Sequence, residues 1–70
     1  MYLKMATGTV KWAPNDRHFA LIAGDDGVEY LAMNSDILDF PKQLKENQRV
    51  EFDPHKGPVE KIMAIRIRRE

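Results

Sequence analysis

Apolar residues fall at every second position through most of this chain, in short runs separated by clusters of Pro, Gly, Asn and Asp. That period of two predicts strands with one face buried, and the clusters predict the turns between them. Met5 to Trp12, rich in Thr and Val, reads as a first strand. It stops at Ala13-Pro14-Asn15-Asp16, where proline cannot donate to a ladder and Asn-Asp favours a turn. His18 to Ala23 reads as a second strand, with Phe19 and Leu21 on one face and Ala20 and Ile22 on the other. Gly24-Asp25-Asp26-Gly27 predicts a hairpin turn, because Asp-Gly accepts the positive φ that tight turns need.

Val28 to Met33 gives a third strand, with Tyr30 and Ala32 opposite Leu31 and Met33. Asn34-Ser35-Asp36 resembles a helix N-cap cluster and predicts one short turn running through Ile37 and Leu38. Asp39 to Asn47, polar and interrupted by Pro41, predicts a long connection before a fourth strand at Gln48 to Asp53. Pro54-His55-Lys56-Gly57-Pro58 predicts another turn. In Val59 to Arg68, Met63, Ile65 and Ile67 alternate with Ala64, Arg66 and Arg68, the pattern of a half-buried strand. A helix over Glu60 to Ile67 is the alternative, which strict alternation and β-branched Ile disfavour. Five short strands with one long connection predict an all-β, closed or nearly closed barrel.

Seventy residues suffice for one domain, 1–70, near the lower size limit for a single apolar core. Met5 offers an alternative start, which would leave residues 1–4 as an N-terminal extension outside the fold. No apolar run approaches the roughly 20 residues that span a bilayer, so no membrane partner is expected. The chain has no cysteine, which excludes a disulfide framework and fits a cytoplasmic setting. Eleven basic residues balance eleven acidic ones, so phosphate is attracted by local clusters and not by net charge. Charge is unevenly placed: Lys61 to Arg69 holds four basic residues and no acid, whereas Asp25, Asp26 and Glu29 gather in the first half.

Six segments, in order and at nearly constant spacing, resemble the bacterial cold-shock protein family. They are Gly8-Thr9-Val10-Lys11-Trp12, Arg17-His18-Phe19-Ala20-Leu21-Ile22, Asp25-Asp26-Gly27, Ser35-Asp36-Ile37, Leu44 to Phe52, and Lys56-Gly57-Pro58. The resemblance implies a five-stranded antiparallel barrel of the oligonucleotide-binding (OB) type that holds single-stranded RNA or DNA on exposed rings. It further implies a role in RNA chaperoning or gene regulation. The departures fall on the rings. Ala13 and Leu21 stand where the family carries aromatics, His18 and Ala20 replace two glycines, and Tyr30 to Asn34 replaces a motif with two rings and a histidine.

By this resemblance the stacking candidates are Trp12, Phe19 and Phe40, with apolar support from Leu21, Leu31 and Met33. Lys11, Arg17 and Lys56 would meet phosphate, and His18 would stack or donate a hydrogen bond. Each has a plainer reading. Trp12 shares strand parity with Val10, which would make it a core residue. Phe19 could be core, Phe40 could pin its loop, and Arg17 could pair with Asp16. Arg66, Arg68 and Arg69 form a basic tail that either meets phosphate or is a solvated strand face.

Leu31 and Met33, beside Phe19 and Leu21, make an apolar outer patch that would equally suit a homodimer or another protein partner. A barrel subunit with no ligand is a third reading. Enzyme activity is not expected. His18 and His55 have no metal-ligand spacing, Asp25 and Asp26 are accounted for by the turn, and no nucleophile motif or phosphate-cradling loop is present. No cofactor is therefore expected.

Overall fold

The alternation along the chain becomes five strands in the computed structural model, which describes residues 5–56 and 62–70. They are β1 (Ala6–Trp12), β2 (Phe19–Gly24), β3 (Glu29–Met33), β4 (Arg49–Lys56) and β5 (Ile62–Arg69). The order around the barrel is β1-β2-β3-β5-β4, and β4 returns to pair with β1. All neighbours are antiparallel except β3 and β5, which run parallel. Among the described residues, closure leaves no strand edge to recruit another chain. The suggested extension at residues 1–4, the Gly57-Pro58 half of the last expected turn, and Val59 to Lys61 lie outside the described residues.

The β2–β3 turn follows from its sequence. The Gly24 carbonyl accepts the Gly27 N–H at 3.0 Å, and Gly27 takes φ 86°. Asp26 Oδ1 accepts the Val28 N–H at 3.0 Å, as an Asx turn does. Gly8 serves a different need. A Cβ there would lie 2.7 Å from the Ala23 carbonyl oxygen and 2.8 Å from Ile22 Cγ2, so only glycine lets β1 approach β2 so closely.

The interior is filled by size complementarity. Ala20 pairs with Ala32, and Ala32 with Ala64, so a belt of small inward residues crosses β2, β3 and β5. Phe52, Ile22, Ile37, Leu44 and Ile67 fill the space those alanines leave. Tyr30 meets Phe52 edge to face, with centroids 4.7 Å apart. Its hydroxyl donates to Asp26 Oδ2 at 2.7 Å, giving a buried phenol its required partner. Each such fully buried aliphatic or aromatic side chain contributes about 1.5–3 kcal/mol.

Four expectations need correction. The turn after Met33 is a single 3₁₀ turn at Asn34–Asp36 with no side-chain cap. Ile37 leaves it to bridge Ile67. Pro54, His55 and Lys56 continue β4 instead of turning, because β5 pairs with them through Ala64, Met63 and Ile62. The apolar alternation of β5 does not define one buried face. Between Glu51↔Arg68 and Asp53↔Ile65, two steps on β4 oppose three on β5. Arg66 absorbs the extra residue at φ 50°, so Ala64 and Ile67 are both buried while Met63 and Ile65 are not. The basic tail is also largely paired: Arg66 with Asp53, and Arg69 with Asp39.

Candidate nucleic-acid interface

A second bulge determines the outer face. Val10 pairs with Ile22, yet Trp12 pairs with Leu21, so one step on β2 spans two on β1. Lys11 is the extra residue. The shift reverses side-chain parity at the end of β1: Val10 is buried, whereas Trp12 is 43% exposed on the side opposite the core. The core reading of Trp12 is thereby set aside.

From Trp12 a register row crosses every strand: Trp12↔Leu21, Leu21↔Leu31, Leu31↔Met63 and Met63↔His55. With strands about 4.8 Å apart, it runs about 19 Å around the closed wall. Phe19 and Met33 form a second outward pair beside it. Trp12 and Phe19 lie edge to face, centroids 5.6 Å apart and planes at 67°. Phe19, Leu21, Leu31 and Met33 are all half-buried, so they are neither core nor fully solvated. This is a nearly continuous apolar surface with two rings at one end.

Polar groups border it. Arg17 and His18 are exposed just before β2, and their carbonyls accept hydrogen bonds from Asn34. The alternative Arg17–Asp16 pair does not form among the described residues. Lys11 Nζ lies 2.6 Å from Glu29 Oε2, both side chains well exposed. Lys56 is the last described residue of β4, opposite Ile62. Phe40, 81% exposed, does not pin its loop. Lys42 Nζ sits 5.5 Å from its ring centroid. Leu44 is the loop's buried anchor instead.

A charged cluster closes another part of the wall. Arg49 holds Asp25 in a two-pronged contact of 2.8 and 2.7 Å and reaches Thr9 at 2.9 Å and Glu70 at 3.2 Å. The Arg49 guanidinium, aided by the Thr7 hydroxyl, holds the Asp25 carboxyl well below the usual carboxylate range. The Arg49 pKa rises in return. Asp26 is lowered by the Tyr30 hydroxyl and the Val28 N–H, and Tyr30 is raised by Asp26 and by burial. These groups are engaged with one another. Among the described residues no group of His, Asp and Glu is arranged to hold a metal ion.

Met63 and His55 extend the surface, and sequence reasoning did not place them on it. Met63 alternates with Ala64 in plain view, but only the parallel pairing with β3 shows which of the two faces outward.

A closed β1-β2-β3-β5-β4 barrel with outward-facing rings and half-buried aliphatics along β1 to β3 is a small barrel of the OB class. No protein-family model matches the chain, but curated proteins do. It is 41% identical over 54 residues to "Cold shock protein 2" of Lactiplantibacillus plantarum, covering 76% of this chain and 82% of that protein. To "Cold shock-like protein CspA" of Stigmatella aurantiaca it is 38% identical over 56 residues, covering 77% and 82%. To "Cold shock-like protein CspD" of Escherichia coli it is 43% identical over 56 residues, covering 77% and 76%. The chain belongs to the cold-shock protein family.

Proposed function

We propose that this protein binds single-stranded RNA or DNA across the outer face of β1 to β3, without enzymatic activity, in the cytoplasm. The observation that carries the proposal is the outward turn of Trp12 at the Lys11 bulge, which sets it edge-on to Phe19 over a row of half-buried aliphatics. Bases would stack on Trp12, Phe19 and Phe40, each contact contributing about 1–3 kcal/mol. Leu21, Leu31 and Met33 would exclude water beneath the strand. Lys11, Arg17 and Lys56 would track phosphate, with His18 at the edge. Fewer rings and zero net charge imply modest affinity, suited to transient RNA chaperoning or transcript regulation.

Titration of the protein with oligo-U or oligo-dT, followed by Trp12 fluorescence at low and moderate salt, tests this. Quenching that weakens with salt is expected. No quenching up to millimolar strand would refute it.

The breadth of the aliphatic surface favours a second reading, a homodimer or a protein partner on the same face. Scattering that shows a dimer lost on Met33→Lys would support that reading over the first.

A further inference from the structure

We infer that Arg69, near the chain's C-terminal end, is the positioning residue that holds Phe40 ready for a base. The inference rests on the nucleic-acid reading above and adds a residue remote in sequence from the stacking rings.

Phe40 is an exposed ring on a well-tied loop. The Arg69 side chain, only 18% exposed, gathers the backbone on both sides of it. Nη1 donates to Asp39 Oδ1 at 2.7 Å, and the Arg69 backbone N–H to Asp39 Oδ2 at 3.2 Å. Nη2 donates to the carbonyls of Pro41 and of Gln43, the latter at 2.9 Å. One guanidinium therefore fixes the residues immediately before and after Phe40. The Leu38 N–H bonds the Ile67 carbonyl at 2.8 Å, which continues the attachment to β5.

The same loop is tied to the binding face. Gln43 Nε2 donates to the Pro14 carbonyl, two residues beyond Trp12, and Gln43 Oε1 accepts from Asn34, next to Met33. Phe40 is three residues from Gln43, so at most about 11 Å of chain separates it from that contact. Lys42 covers one side of the ring and also donates to the Ile37 carbonyl at 3.1 Å. A ring held in this way loses little further freedom when a base stacks on it, which is how preorganisation raises affinity.

Arg69→Lys keeps the charge but cannot span a carboxylate and two carbonyls at once. In the full chain, Arg69→Lys should weaken binding of an oligo-dT of about eight nucleotides by roughly three- to tenfold. In a Phe40→Ala background the same change should cost almost nothing further. Amide exchange should quicken in the loop around Phe40 while the β1 and β2 amides keep their protection. Asp39→Asn, which removes the negative charge and one of the two acceptor oxygens that Arg69 uses, should act in the same direction and guards against a poorly folded Arg69 variant.

Equal losses from Arg69→Lys with and without Phe40 would overturn the inference while leaving nucleic-acid binding intact. So would unchanged loop exchange. A wild-type protein that binds no strand would overturn the functional reading and this inference with it.

Discussion

Val10 and Trp12, two positions apart on β1, face opposite sides of the barrel wall. The Lys11 bulge that separates them lets one strand serve both the core and the surface. Val10→Ala should therefore cost about 1.5–3 kcal/mol in denaturant unfolding. Trp12→Ala should cost less stability and much more nucleic-acid affinity. If Trp12→Ala proved the more destabilising of the two, the outward placement would be wrong.

Phe19 meets Trp12 edge to face, so the two rings form one platform. Removing a stacked ring forfeits about 1–3 kcal/mol, and Phe19→Ala should raise Kd for oligo-dT roughly 5- to 150-fold. Circular dichroism of the variant should remain that of the native barrel. A binding isotherm indistinguishable from wild type would remove Phe19 from the interface.

Lys11 is held by Glu29 at 2.6 Å, which lowers its availability to phosphate. Glu29→Gln frees the ammonium and shifts the net charge by one unit. Affinity at low salt should rise several-fold, and the dependence of log K on log salt should steepen by up to about one unit. Because the pair is exposed, its contribution to folding is small and Tm should hardly change. An unaltered salt slope would show that Lys11 does not contact the strand.

The two turn carboxylates make stability acid-sensitive. Asp25 and Asp26 both have native pKa values below their ordinary 3.8, so protons bind them more weakly in the folded chain than in the unfolded one. Their stabilisation is fully present above about 3.8 and is lost as pH falls through the native values. The denaturant midpoint should decline as pH drops from about 4 to about 2. Arg49→Gln, which removes the main partner of Asp25, should make that decline shallower. Salt should lessen the effect, since Arg49 and Asp25 are about half exposed.

The β5 bulge predicts unequal costs for neighbouring isoleucines. Ile67 is wholly buried, while Ile65 is half-buried. Ile67→Ala should cost about 2–5 kcal/mol, and Ile65→Ala clearly less. Equal costs, measured by chemical denaturation, would mean that Arg66 does not break the alternation.

Most of the barrel was legible in the chain because period-two patterning and turn chemistry are local. Gly24 to Gly27 forms its turn through bonds among its own neighbours. Ala20 and Ile22 point inward as their alternation with Phe19 and Leu21 implies. The apolar character of Leu31 and Met33 on an outward face was equally visible. The failures came where parity was interrupted or a distant strand intervened. Pro54 and His55 looked like a turn, yet β5 extended their strand. Met63, Ile65 and Ile67 looked equivalent, yet a positive φ at Arg66 separates them.

The residues alone therefore determined a five-stranded barrel and its first hairpin, since these follow from side-chain period and turn preference within a few positions, while the reduced set of rings was read from the resemblance to the cold-shock family. Which way Trp12 faces, that Met63 and His55 continue its row, and that Arg69 fastens the loop of Phe40 were decided only by the tertiary structure. Those relations arise from register between strands distant in sequence. A single bulged residue there reverses every side chain beyond it.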